Sequence, residues 1–135
     1  MKHLFVTYAI ALMLKEAKFN EPCIAGYDEW TEEGEEVQLK AIVNEFGILS
    51  GITPQHLAYT ICAPSYQQVI DWILEKHNAN ITVHKEFEGK WYWRVVDIKD
   101  YTDVNSQSIY DTKEGCLVNA IENFIEVGVL NKKFN

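Results

Sequence analysis

Residues 65–98 read SYQQVIDWILEKHNANITVHKEFEGKWYWRVVDI. The opening part is helical in pattern. Ser65 and Gln68 form a capping box, in which the hydroxyl accepts from the third helical amide and the Gln side chain reaches back. Tyr66, Val69, Ile70, Ile73, Leu74 and His77 share one face, and Gln67, Gln68, Asp71 and Glu75 share the other. This spacing predicts an amphipathic helix over 65–77 that lies on a core, with Trp72 on the flank of its stripe. Asn78 tolerates the left-handed conformation that stops a helix. The apolar period then shortens to that of a strand. Two strands are predicted over 80–87 and 91–98, joined around Glu88, Gly89 and Lys90. A three-residue loop puts Ile81, Val83 and Phe87 on one apolar face with Trp91, Trp93 and Val95, and turns Arg94 away beside His84. A two-residue loop would mix them with Tyr92, Arg94 and Val96, so the continuous apolar face selects the former. Hairpin chemistry prefers Gly last in such a loop, whereas Lys90 is last here.

Downstream, the polar run 99–111, with Asp100, Asp103, Asn105 and Ser106, reads as a loop. Asp111 with Glu114, or Thr112 itself, then caps a helix over 112–127. Leu117, Ala120, Ile121, Phe124 and Ile125 form its predicted buried stripe. Asn119, Glu122, Asn123 and Glu126 form its wet side, and Gly128 ends it.

Upstream, Thr7 caps a helix running to about Lys18, and Pro22 ends that region. Ile10, Met13, Leu14 and Ala17 line one side of it, with Tyr8, Leu12 and Phe19 nearly opposite; two apolar faces predict burial between layers or against a partner. Residues 23–28 suit a strand, followed by an acidic turn to Glu36. Residues 36–46 fit both an alternating strand and a helix stopped by Gly47; a hairpin of 23–28 with 36–43 is the reading adopted. Residues 47–56 read as a loop and 57–62 as a further strand. The predicted fold is an α+β, two-layer domain: an antiparallel sheet of three to five strands with the 65–77 and 112–127 helices packed on one face, forming a single globular domain over 1–135.

Composition supports an ordered chain. Its 135 residues match one domain, and 47% hydrophobic with 13% aromatic residues exclude disorder. Twelve Lys and Arg face 20 Asp and Glu, for a net charge of −8, which argues against direct nucleic-acid binding because phosphates need clustered cations. Cys23, Cys62 and Cys116 form no CxxC pair and are odd in number, which suits a reducing cytoplasm better than a zinc knuckle or a disulfide framework. Lys2 and His3 before the apolar run from Leu4 to Leu14 resemble a secretory signal, yet Lys15-Glu16-Ala17-Lys18-Phe19 stands where a small-residue cleavage site belongs. That run is also too short to span a bilayer, so no membrane association is expected.

One resemblance extends across the chain. Its carriers are Phe19-Asn20-Glu21-Pro22-Cys23, Ala63-Pro64-Ser65-Tyr66-Gln67-Gln68-Val69, Trp72, Glu75-Lys76-His77 and Trp91-Tyr92. Together these resemble a group of short uncharacterised proteins encoded by prophages and mobile elements of gut bacteria. In that group a Thr-Tyr-Glu-Glu-Ala-type stretch opens the last helix; Thr112-Lys113-Glu114-Gly115-Cys116 departs from it here. The resemblance covers about three-quarters of the chain through caps, a helix stripe and a Trp-bearing strand, and it implies a phage-related cytoplasmic protein while handing over no catalytic residue.

Residue chemistry adds little to that. Asp28, Glu29, Glu32, Glu33, Glu35 and Glu36 concentrate the acidity in one turn, which favours a solvated loop over a DNA mimic, whose carboxylates must be spread like phosphates. No D-x-D-x-D-G calcium loop, HExxH, GxxxxGK[ST] or GxGxxG occurs, so no metal and no cofactor is expected. His77 has reason enough as a cation in the last turn of its helix. No catalytic residue is assigned. Aromatics remain the strongest candidates: Trp91, Tyr92 and Trp93 in succession put rings on both faces of one strand. Tyr92, Arg94 and His84, with Trp72 added from the helix, make up the candidate interaction surface, since aromatic-plus-Arg patches are enriched in binding hot spots. The alternative is that another element covers this face. The expected function is that of a non-enzymatic phage or mobile-element accessory protein acting through protein–protein contacts, with an unknown partner or by self-association as a homo-oligomer. An acidic inhibitor of a nucleic-acid-processing host enzyme and a small enzyme with a Cys/His site are the alternatives.

Overall fold

Thr7 is extended (φ −68°, ψ 162°) and its hydroxyl accepts from the Ile10 amide at 3.3 Å, which starts helix α1, Tyr8–Glu16. The structure, a computed structural model, describes residues 4–29, 36–41, 60–106 and 108–130. It divides the chain into two compact units, Met1–Tyr66 and Gln67–Asn135.

In the first unit α1 ends before Pro22 comes into play. Lys18 adopts a left-handed φ of 68°, and the Phe19 and Lys18 amides donate to Leu14 and Lys15 carbonyls at 2.9 and 3.2 Å. This is a Schellman end with lysine where glycine is usual, and the buried Leu14 and Phe19 supply its apolar clasp. A left-handed lysine is strained by ~1 kcal/mol or more, part of which glycine returns through its looser unfolded chain. Lys18→Gly should therefore raise the unfolding free energy by about 0.5–1 kcal/mol in a urea titration; a loss would mean that the lysine stem packs usefully. Ile10, Ala11 and Leu14 are buried, whereas Leu12 on the second apolar side is 40% exposed.

Strand β1, Ala25–Asp28, pairs antiparallel with β2, Gln38–Ala41, from Ala25 opposite Ala41 to Asp28 opposite Gln38. The 23–28 with 36–43 hairpin is thus present in its described part, and Lys40 closes on Asp28 across it at 3.3 Å. Strand β3, Thr60–Cys62, pairs with the other edge of β1, giving the order β2-β1-β3. Helix α1 lies against β3. Tyr27 donates its hydroxyl to the Val6 carbonyl at 2.7 Å and meets Tyr8 edge to face at 5.4 Å. Most of the acidic turn, the 47–56 loop and the start of the 57–62 strand lie outside the described residues.

Helix α2, Tyr66–His77, begins at the boundary, and Asn78 stops it with a φ of 54°, as its residue type predicts. Its buried residues are Tyr66, Val69, Trp72 and Ile73, while Leu74 is 37% exposed. The helix is therefore rotated relative to the predicted stripe, toward Trp72 and away from Leu74. Strands β4, Ala79–Lys85, β5, Trp91–Asp97, and β6, Asp103–Asn105, form a second antiparallel sheet in that order. The α+β class holds, but the described strands form two three-stranded sheets, because β1 and β5 each find partners on both edges within their own unit.

Within β4-β5, Val83 faces Trp93 and Ile81 faces Val95, the face grouping of the three-residue-loop reading. The closing pair sits further in, at Lys85 and Trp91, and Phe87 stands in the turn fully exposed. The Glu86 amide donates to the Lys90 carbonyl at 2.6 Å, so the loop is Phe87-Glu88-Gly89 and not 88–90. Gly89, with φ 81°, stands last in it, where hairpin chemistry prefers glycine, and donates to the Glu86 carbonyl at 3.0 Å. Strand β6 occupies part of the predicted loop 99–111. A single apolar residue, Val104, gives it no readable period; the β5 backbone and an Arg94–Asp103 ion pair hold it.

Thr112 caps helix α3, Lys113–Asn123, by accepting from the Gly115 amide at 3.0 Å. Gly128 does not end the helix, which continues in π-helical form over Phe124–Leu130. Cys116, Ala120, Ile121 and Ile125 are the buried side, with Leu117 and Phe124 half-buried, and α3 lies against β4 and β5. Asn119 is not on the wet side. Its Oδ1 accepts from the Trp93 indole at 2.9 Å and from the Tyr110 hydroxyl at 2.5 Å. Asn119→Leu removes the acceptor from a buried indole N–H and should cost about 1–3 kcal/mol. A much smaller loss for Asn119→Leu in a Trp93→Phe background would identify the lost bond as the cause, and a neutral single variant would show that water replaces it.

Candidate functional site

Side chains of β5 alternate between two environments. Trp93 points to the side that meets Asn119 of α3. Tyr92 and Arg94 point to the other, where Tyr92 lies opposite His84 and Arg94 opposite Thr82 of β4 and Asn105 of β6. The His84 and Tyr92 rings stack with centroids 5.1 Å apart and planes at 23°. Thr82 fixes the imidazole through a 2.8 Å contact between its hydroxyl and Nε2. Arg94 donates from Nε to Asp103 Oδ2 at 2.7 Å, and its terminal nitrogen closes on the same oxygen. The hydrogen bond from Arg94 holds the Asp103 carboxyl below the usual carboxylate range, and the same bond pushes the guanidinium up.

Glu86, Asn105, Ser106 and Ile109 complete a shallow depression of about 470 Å³ around Tyr92, Arg94 and Asp103. Ser106 shapes its rim, because its hydroxyl accepts from the Trp93 amide at 3.1 Å and donates to the Ser108 carbonyl at 2.9 Å. Ile109, 54% exposed, adds apolar area. Three of the four residues expected at an interaction surface are therefore neighbours: His84, Tyr92 and Arg94. Trp72 does not join them, because it is buried on α2 with its ring 4.8 Å from that of His77. Asp103 is the member of this cluster that sequence reasoning missed. A lone carboxylate in a polar stretch carries no signal until its strand is registered against Arg94.

The cysteines are all buried. Cys23 is hydrogen-bonded to Cys62, and that bond, with burial, pushes its thiol up; Cys62 is drawn down by the same bond. Burial also pushes the Cys116 thiol up. His77 makes edge contacts with the rings of Trp72 and Phe124. His3 and His56 lie outside the described residues. Among the described residues no group of three His, Cys, Asp or Glu is placed to hold a metal ion. No described helix is long and apolar enough to cross a membrane.

Such an arrangement suits recognition. Arg94 is neutralised by Asp103, so it does not present a bare cation to phosphate, while the stacked rings offer rigid amphipathic area at low entropic cost. No family model, no curated protein and no solved structure matches the chain.

Proposed function

We propose that the protein is a non-enzymatic cytoplasmic accessory protein of a phage or mobile element and works by protein–protein contact, through self-association or a protein partner. The phage and cytoplasmic parts rest on the sequence resemblance and the cysteine count alone. The contact part rests on one observation: a stacked His84–Tyr92 pair beside an Arg94–Asp103 ion pair on one face of the β4-β5-β6 sheet. Paired in this way, the four side chains are already ordered before a partner arrives, which lowers the entropic cost of docking. Tyr and Arg are also the residues whose truncation most often costs binding energy.

Sedimentation velocity over a range of concentrations tests the reading. A reversible oligomer is expected, weakened about tenfold or more by Tyr92→Ala and by Arg94→Ala, as for hot-spot residues. If the oligomer is absent, a purified stoichiometric partner must show the same sensitivity. A strictly monomeric protein with no partner, whose cellular effect disappears on Cys62→Ser while Tyr92→Ala leaves it intact, would overturn the contact reading in favour of a thiol enzyme.

A further inference from the structure

The opposite face of the same sheet holds a cleft that the contact surface does not use. Alternation sends Trp93, Val95 and Asp97 of β5 to this side, with Ala79 opposite Asp97 and Val104 opposite Val95. Phe124, Val127 and Gly128 of the π-helical segment supply the facing wall. The void measures about 230 Å³. A cavity of about 150 Å³ accepts benzene, so this one has room for a single ring or a short branched chain. Its lining is mostly apolar, with Thr102, Asn123 and Asp97 as the polar residues among those described.

Among the described residues Asp97 is the one charged residue in that lining. Both amides of the following turn, Lys99 and Asp100, donate to its Oδ1 at 2.9 and 3.0 Å, which leaves Oδ2 outside the turn's hydrogen bonds. The Trp93 indole N–H is engaged by Asn119, so the ring contributes carbon surface to the lining and no donor. Rings beside a carboxylate favour a cation. The π-helical form of the wall is itself rare and recurs at functional sites. Gly128 suits that wall, because a Cβ there would come within 3.2 Å of the Phe124 ring and displace it.

We propose that this cleft binds a small organic cation, an apolar body about one ring in size whose protonated amine pairs with Asp97. The reading is independent of the contact surface and stands or falls separately. It is tested by NMR titration of the full chain with benzylamine, using benzyl alcohol and benzoate as neutral and anionic controls. Benzylamine should move the Val95, Val104 and Val127 methyl signals in a saturable way, with both controls binding at least about tenfold more weakly. Asp97→Asn keeps an oxygen for the two turn amides and should weaken benzylamine by a similar factor. Val127→Phe fills the void and should abolish the shifts while leaving the remaining spectrum folded. The proposal is overturned if those methyls do not respond at about 10 mM, if benzyl alcohol or benzoate binds as well as benzylamine, or if Asp97→Asn binds unchanged. Should either variant fail to fold, the comparison of the three probes on the wild-type chain decides alone.

Discussion

Trp93→Ala should lower the unfolding free energy by about 3–5 kcal/mol in urea titrations followed by circular dichroism. Trp93 is 5% exposed, so truncation removes nearly a whole indole from the contact between β5 and α3. It also removes one of the two donors to the Asn119 oxygen, the indole N–H at 2.9 Å, and leaves the Tyr110 hydroxyl. Trp91, two residues earlier on the same face, is only half-buried, with the Lys85 and Lys113 ammonium groups each 6.0 Å from its ring. Trp91→Ala should therefore cost distinctly less. Equal losses at the two positions would mean that the sheet is packed differently at the hairpin end. A Trp93 loss below about 1 kcal/mol, typical of an ordinary site, would refute its place in the core.

Ile73→Ala should cost about 2–5 kcal/mol, because the side chain is fully buried and the space it vacates is enclosed. Leu74→Ala, one residue on, should cost less than about 1 kcal/mol, since that side chain keeps 37% of its surface in water. The contrast is sharp because the apolar spacing in the sequence gives the two residues equal weight. Similar losses would restore the stripe read from periodicity and displace Trp72 from the interior. Both measurements require probes in each unit, as two compact units need not unfold in one step.

Elements with a strong period were legible. Helix α2, the β4-β5 hairpin with its face grouping and the start of α3 at Thr112 follow from local residue types. What local pattern does not carry is the identity of a partner. The pairing of β1 with β3 depends on residues far apart in sequence, so one sheet was expected where the described residues form two. Strand β6 is invisible because its side chains are exposed and its pairing is made by backbone amides. Asn119 reads as solvent-facing because a polar residue beside a helix stripe normally is; its role appears only once Trp93 and Tyr110 reach it from other elements. Of the candidate surface, His84, Tyr92 and Arg94 were readable from strand alternation, whereas Trp72 required the rotation of α2 to within one residue. The cleft beside Asp97 was out of reach, because the glycine read as a helix stop lies within a continuing π-helical segment.

The two sheets also differ in how far the chain must travel to build them. Strands β4, β5 and β6 follow one another through short turns, so their pairing closes small loops at little entropic cost. Pairing Asp28 of β1 with Thr60 of β3 instead waits on the closure of everything between residues 28 and 60. Local pairings form early and distant ones late. In a refolding experiment read by pulsed amide exchange, the β5 amides should thus gain protection before those of β1 and β3. Ribosomal synthesis reverses the order of supply, since β1 emerges first and must wait, one edge unpaired, until β3 has been made.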